Sequence, residues 1–310
     1  MHVVIGKSFK TNKDTELIKF NKDYFEINLC FDNTNTIKIK LHKNKEIFFN
    51  DVKLKKISDI IGKIPVVIFT PESLEIISGS NQNRRQYFDL LSIKTSKKYL
   101  IYLTEYVKLI KFKNNHLKKD VIDRNYIKTI NEKLSKLILY IYKYRIEIIK
   151  LINNKILNIH SDLTNDKEKI NIEYISDFFD KDIEEIEEYL NKYIDIEIAR
   201  KSSVKGIQKD IFNIYINNIN ISIYGSQGQK RTTMLSLLFS EMIILEENIG
   251  TKPILLLDDI MSELDENRAK LLFKKIKENQ CIITTTEEYF NKEIENKIKI
   301  FKINEGNIVK

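Results

Sequence analysis

The densest chemistry in the chain lies at Pro253-Ile-Leu-Leu-Leu-Asp258-Asp259-Ile-Met-Ser262-Glu263-Leu264-Asp265. Apolar residues running into two acids describe a buried strand that delivers carboxylates at its C-terminal edge, where open α/β sheets bind ligands. Adjacent carboxylates there can hold a divalent cation and polarise a water molecule. A buried strand that merely ends in a polar loop has the same pattern, so the acids need company. Tyr224-Gly225-Ser226-Gln227-Gly228-Gln229-Lys230-Arg231-Thr232 supplies it, one apolar helix ahead of the acidic strand. A small, glycine-containing turn at a helix N-terminus presents free N–H groups and the positive dipole end to an anion. Ser226 with Gln229 three residues on also spells a capping box, a purely structural role. The cap accounts for the Ser and the Gln but not for the Gly and the Lys-Arg beside them. A third run, Ile282-Ile283-Thr284-Thr285-Thr286, reads as a strand ending in hydroxyls.

The elements that must position these residues follow from periodicity. Phe25, Ile27 and Leu29 alternate, then Ile37, Ile39 and Leu41 after the turn Asp32-Asn33-Thr34-Asn35, then Ile47 and Phe49. Period-two alternation broken by Asn/Asp clusters predicts a strand meander. A short helix is expected from Val52 to Ile61, ending at Gly62. Pro65 to Phe69 reads as a buried strand, and Thr70-Pro71-Glu72 opens a helix with proline in its first turn. Between Asn83 and Arg200 strand signals nearly vanish and there is no proline. Leu100, Leu103, Val107 and Ile110 recur at helical spacing. Ile127, Ile130, Leu134, Leu137, Ile141, Tyr144, Ile148 and Leu151 alternate steps of three and four, which fits a coiled-coil seam or one long helix of an ordinary bundle. A third helix, about Asp180 to Ala199, carries Glu184, Glu185, Glu187 and Glu188 as a solvated face. After Arg200 come a hairpin around Asn217-Asn218, a helix from about Gly228 to Glu247 stopped by Gly250, a strand at Ile254 to Leu257, a helix from about Glu266 to Lys277, a strand at Cys281 to Thr285 and a closing strand pair. Strand–helix–strand alternation at both ends predicts an α/β head interrupted by a helical insertion.

Composition sets the outer limits. The chain has 310 residues, 42% hydrophobic and 31% charged, enough to bury a sizeable core and too apolar for a disordered protein. Two cysteines, Cys30 and Cys281, exclude a disulfide scaffold or a cysteine-based metal site and suit a reducing cytoplasm. No apolar run approaches the ~20 residues that span a bilayer, and the N-terminus has no apolar signal region. Lys and Arg number 52 against 44 Asp and Glu, a net charge of +8 that allows a polyanionic partner without requiring one.

Taken together, these blocks resemble the RecF family of SMC-like ABC ATPases. The resemblance rests on Pro65-Val-Val-Ile-Phe-Thr-Pro71-Glu72-Ser-Leu74-Glu75, on Gly79-Ser80, on Arg84-Arg85 with Phe88-Asp89, on Ser226 to Thr232, on Leu255 to Asp265, on Thr284-Thr285-Thr286 and on Gly6 to Thr11. It spans essentially the whole chain and is weakest in the helical region. What it implies is an ABC/SMC-type P-loop ATPase head, residues 1–90 and 200–310, with an inserted helical, coiled-coil-like lobe at 91–199. By the same resemblance Asp258 holds Mg²⁺ on the Walker B strand and Asp259 polarises the attacking water. Ser226, Gln227, Gly228 and Gln229 form the signature turn that meets the γ-phosphate of a partner's ATP. Asp265 pairs across the dimer and Thr285 senses the γ-phosphate. The implied activity is an ATP-dependent DNA clamp that closes as a homodimer on single-strand gaps and junctions. It would help load recombinase with RecO- and RecR-type mediator proteins and support the SOS response. Arg84 and Arg85, opening a helix beside an Asn/Ser-rich turn, are candidates for DNA phosphate contacts, with helix capping and packing as the alternative.

Two departures from the family stand out. The stretch Gly206-Ile207-Gln208-Lys209-Asp210 keeps a glycine, a basic residue and an aspartate where the family has Gly-Pro-His-Arg-Asp-Asp. No Gly-x4-Gly-Lys-Ser/Thr occurs anywhere. Gly6-Lys7-Ser8 is a decoy, because the first glycine would fall at Met1 and no strand could precede it. The resemblance places it after the Walker A helix, so the head is expected to be incomplete at its N-terminus, with Ile254 to Leu257 lacking a neighbour on one side. A non-catalytic DNA-binding remnant and another SMC-like ATPase remain as alternatives. Without a phosphate cradle, the 310-residue chain alone is expected to release phosphate from ATP negligibly in the presence of Mg²⁺ and DNA. Turnover that Asp259→Asn abolishes would contradict this.

Overall fold

A computed structural model describes residues 13–31, 35–55, 59, 64–286 and 299–309. The meander is present: β1 (Phe25–Phe31), β2 (Asn35–Leu41) and β3 (Lys45–Phe49) pair antiparallel, with Ile27 opposite Ile39 and Ile39 opposite Ile47. The helix expected from Val52 begins instead as a fourth strand, β4 (Val52–Lys53), which pairs back onto β3. Most of the remaining stretch to Gly62 lies outside the described residues.

A parallel sheet, β10-β9-β5, forms the centre of the head. In it β5 (Val66–Phe69) and β10 (Cys281–Thr284) flank β9 (Ile254–Asp258). The expectation that β9 lacks a neighbour is therefore corrected: Leu255 stands opposite both Val67 and Cys281. One face of the sheet, through Ile68, Ile254 and Leu256, packs on the meander. The other, through Val67, Phe69, Leu255 and Leu257, faces helices. A strand covered on both faces reads as a continuous apolar run, as Ile254 to Leu257 does.

The helices divide between two cores. α1 (Asn81–Thr95) and α2 (Lys97–Leu117) lead into α3 (Arg124–Thr164), a helix of 41 residues and about 60 Å at 1.5 Å per residue. Its N-terminal half buries Ile130, Leu134, Ile138 and Ile141 in the lobe core, together with residues of α4 (Ile183–Lys192). Its C-terminal half buries Ile148, Ile149, Ile152, Ile156 and Ile159 in the head core. The seam read from the sequence holds to Ile148 and then rotates, because a straight helix drifts ~20° per heptad against a 3.5-residue repeat. Leu151 consequently lies exposed, while Ile149 and Ile152 turn inward. α5 (Ile194–Arg200) closes the lobe with a buried ion pair, Lys113 to Glu197 at 2.6 Å.

The near absence of strands between Asn83 and Arg200 fails at one place. β6 (Ile170–Ile175) pairs with β7 (Ile211–Ile216), Ile172 opposite Ile214. β7 turns through Asn217 and Asn218, both at positive φ, into β8 (Ile219–Asn220), the geometry that Asn-rich two-residue hairpins favour. α6 (Gln227–Ile249) follows and is buried almost all round over Thr232–Met242. Its polar residues are accommodated because Thr232, Ser236 and Ser240 each bond the carbonyl four residues back. Gly250, at φ +80, ends it in the left-handed cap conformation. α7 (Glu266–Ile276) and the exposed pair β11 (Lys302–Asn304) and β12 (Asn307–Val309) complete the chain.

Where α3 passes from one core to the other it carries Arg145, which is almost fully buried. Its guanidinium meets both oxygens of Asp89 at 2.9 and 3.0 Å, Asp210 at 2.6 Å and the carbonyl of Ile207 at 2.9 Å. Tyr99 donates to Asp89, and Tyr174 and Ser176 donate to Asp210. Burial drives both phenols well above their ordinary pKa, which keeps them protonated as donors. Asp210 thus has a structural task in the stretch that departs from the family pattern. Removing one partner of such a cluster strands the others. Arg145→Met is expected to cost about 3–5 kcal/mol in denaturant unfolding. Arg145→Lys should recover little, because an ammonium cannot reproduce the fork. A loss under ~1 kcal/mol for Arg145→Met would contradict this account.

Candidate functional site

The acids leave the central sheet where expected. Asp258 is the last residue of β9, opposite Thr284 of β10. Its Oδ1 accepts from the Thr284 hydroxyl at 2.5 Å. Asp259 turns the chain: it sits at φ 49 and caps a single 3₁₀ turn, Ile260–Glu263. Its N–H reaches the Thr284 carbonyl at 3.1 Å and the Thr284 hydroxyl at 3.2 Å. Ser262 donates to Asp259 Oδ2 at 3.0 Å, while Asp259 Oδ1 is buried with no hydrogen-bond partner among the described residues. A positive φ at a non-glycine residue and an orphaned carboxylate oxygen both cost stability, and such strain collects at functional sites.

Strand register puts Thr284 beside Asp258, and Thr285, read from the resemblance as the γ-phosphate sensor, follows it in the chain.

The turn at the start of α6 is the capping box: Gln229 N–H bonds Ser226 Oγ at 3.2 Å, and Ser226 N–H bonds Gln229 Oε1 at 3.0 Å. The Ser226 hydroxyl accepts there, which leaves its own O–H as a donor. Gln227 and Gly228 occupy the first helical turn, whose amides have no intrahelical acceptor. The two glycines differ in kind. A Cβ on Gly225 would lie 2.4 Å from Ile221 Cγ1 and 2.5 Å from its carbonyl oxygen, so the fold itself needs that glycine. A Cβ on Gly228 would meet nothing nearer than Arg268 Nη2 at 3.6 Å. Packing does not require a glycine there, and close approach from outside is what its missing side chain permits.

Asp265 caps α7, accepting from Arg268 N–H at 2.9 Å, and the Arg268 guanidinium returns to its other oxygen. The same guanidinium bonds Thr232 Oγ1 at 2.8 Å and the Gly228 carbonyl at 3.3 Å. Arg231 pairs with Glu263 at 3.1 Å. Two arginines therefore tie the segment after the acids to the turn that starts α6, while no bond among the described residues joins Asp258 or Asp259 to Ser226–Gln229. Arg268 was missed in the sequence. Its only signal there is its place three residues after a helix-capping aspartate.

Arg84 is turned inward and buried, its Nε on the Phe212 carbonyl at 2.7 Å and its Nη1 on the Gly79 carbonyl at 3.0 Å. This corrects its reading as a phosphate contact, since burial removes it from any DNA surface. Arg85 is half-buried, with Nη1 on the Asp210 carbonyl at 2.8 Å. Gly6-Lys7-Ser8 lies outside the described residues.

The oxygen donors at Asp258 and Asp259 suit a hard cation. Among the described residues no cluster of three or more His, Cys, Asp or Glu could hold a metal alone. Among these residues no helix is long and apolar enough to cross a membrane.

A parallel sheet ending in paired acids, followed by a short turn tied to a capped helix N-terminus, defines an SMC-like ABC-type ATPase head. The relatives sharpen this. The chain is 38% identical over 319 residues to the DNA replication and repair protein RecF of Clostridium botulinum strain Okra, covering 98% of this chain and 86% of the relative. It is 35% identical to the RecF of Clostridioides difficile strain 630, covering 98% and 85%. A solved structure of a recombination mediator protein RecF with ATPrS, in the RecFOR pathway, superposes with a TM-score of 0.88 at 32% identity, over 99% of this chain and 85% of that one. No protein-family model matches the chain. The chain belongs to the RecF family.

Two of the acids should behave oppositely in a stability assay. Asp259→Asn removes a charge whose buried Oδ1 has no hydrogen-bond partner among the described residues, and it should leave the denaturation midpoint unchanged or raise it. Asp265→Ala removes a helix cap and should cost about 1 kcal/mol. A comparable loss for Asp259→Asn would mean that this acid serves the fold.

Proposed function

We propose that this chain provides the Walker B acids and the signature turn of an ATP-dependent DNA clamp. In this reading residues 1–90 and 200–310 act as the head, to whose core α3 adds Ile148 to Ile159, and the rest of 91–199 acts as the lobe. Two heads close on ATP around single-strand gaps and single-strand/duplex junctions. With RecO- and RecR-type mediators, closure promotes recombinase loading and the SOS response, in the cytoplasm. The observation that carries the reading is the buried Oδ1 of Asp259 beside Asp258, which has no partner among the described residues, because a fold keeps such an oxygen where a ligand completes it.

Asp258 would hold Mg²⁺, with Thr284 fixing the carboxylate's rotation. Bound Mg²⁺ supplies neutralisation of charge on the β- and γ-phosphates. Asp259 orients and polarises the attacking water with its free oxygen. On the opposite protomer, the Ser226 hydroxyl and the Gln227 and Gly228 amides donate to the γ-phosphate oxygens, and the dipole of α6 adds to their field. Asp265 lies on the exposed edge that meets the second head, already oriented by Arg268. Thr285 follows Thr284 at the strand end, within the loop that reports hydrolysis. Arg85, the more exposed of the two arginines, is retained as a candidate DNA contact.

A mixing experiment tests this directly, since the signature turn acts on a partner's nucleotide. The chain is combined with the Clostridium botulinum RecF relative carrying a substituted signature serine. Phosphate release stimulated by gapped DNA should return, and Ser226→Arg in this chain should abolish it. Failure of rescue while the two chains co-sediment in ATP would overturn the proposal.

A further inference from the structure

The signature turn is held by more than its own cap. Gln229 Oε1 accepts from Ser226, but its Nε2 donates to Glu168 Oε1 at 2.9 Å. Glu168 lies in the loop between α3 and β6, and its other oxygen stands 3.2 Å from His160 Nε2. His160 is fully buried near the C-terminal end of α3, and its Nδ1 meets Ser236 Oγ of α6 at 2.9 Å. The loop cannot slide freely, because Lys169 and Asn217 exchange two bonds of 2.9 Å at the β7–β8 turn. A closed ring of polar contacts therefore runs from the N-terminus of α6 through Gln229, Glu168 and His160 back to α6 two turns later.

A capping box needs only Ser226 and Gln229. The third bond brings a carboxylate within one residue of a turn suited to a phosphate, an electrostatic cost that a cap alone does not explain. What Glu168 adds is a link to α3, whose other half lies in the lobe core. We propose that Glu168 is a positioning residue for the signature turn and that, with His160, it makes the geometry of the turn follow the position of the lobe's long helix. The functional meaning rests on the signature reading of Ser226–Gln229; the mechanical link does not. Burial lowers the His160 pKa against the opposing pull of Glu168, and the neutral imidazole donates from Nε2 to Glu168 and accepts at Nδ1 from the Ser236 hydroxyl, which turns from the Thr232 carbonyl to do so.

Amide hydrogen exchange on the whole chain, without nucleotide, reads the link at Ser226, Gln229 and Lys230, whose N–H groups are all bonded within the turn. Glu168→Ala should speed their exchange about tenfold, the range for one hydrogen bond to a charged group. Glu168→Gln should restore most of the protection, because its amide oxygen still accepts from Gln229. Transmission from the lobe is tested by loosening α3 there with Ile138→Val. This should alter exchange at the turn in the wild-type background and not in Glu168→Ala. Unchanged turn exchange in Glu168→Ala, an equal acceleration throughout β9, or the same Ile138→Val effect in both backgrounds would each overturn the proposal. Because no ATP is involved, exchange tests the link alone, and a failed mixing experiment would leave that link standing.

Discussion

Arg145 brings one positive charge into a buried space where Asp89 and Asp210 place two negative ones, and much of the architecture can be read as the way that imbalance is met. A guanidinium with five donors in a fixed plane can face two carboxylates and a carbonyl at once, which a lysine cannot. The remaining acceptor capacity is filled by the hydroxyls of Tyr99, Tyr174 and Ser176. Arg85, close by, adds a second positive charge that favours both acids. These groups come from α1, α2, α3, β6, the residue after β6 and the approach to β7. None can shift without uncovering a charge.

The position of this cluster matters as much as its strength. It sits on α3 between the residues that fill the lobe core and those that fill the head core. The lobe is thus joined to the head by one continuous helix, locked at the crossing. α6 packs against the lower half of that helix and against the central sheet. Its N-terminus carries the Ser226–Gln229 turn, and Arg231 and Arg268 bind that end of the helix to the segment that follows the acids. Rigid elements therefore fix the turn and the segment after the acids, while Asp259 keeps a buried carboxylate oxygen with no hydrogen-bond partner among the described residues. Placing strain at one atom on a well-supported frame is how a fold prepares a ligand site.

Much of this was legible in the residues. The acidic strand, the capped turn, the Asn-Asn hairpin and the Gly250 stop are local patterns, and each appears within a residue or two of its expected place. What was not legible depends on register and distance. β6 was hidden because Ile170, Ile172 and Tyr174 form a short alternation at the end of a long helical stretch. Val52-Lys53 pairs with β3 because the meander offers an open edge, which no local signal announces. Thr284 meets Asp258 because parallel pairing with β9 sets the register, which the threonine run alone does not fix. Arg84 looked like an exposed basic pair with Arg85 until Phe212, 128 residues away in sequence, supplied a carbonyl for it. His160 and Glu168 gave no signal at all, since their partners lie on α6.

The central claim is that lobe and head form one cooperative unit through α3 and its buried arginine. Hydrogen exchange across a denaturant series measures this most directly. Amides of residues 130–141, in the lobe, and 148–159, in the head, should open with the same free energy and the same denaturant dependence. If instead the lobe half exchanges through its own, lower-energy opening while the head half stays protected, the two are separate units and the Arg145 cluster does not join them.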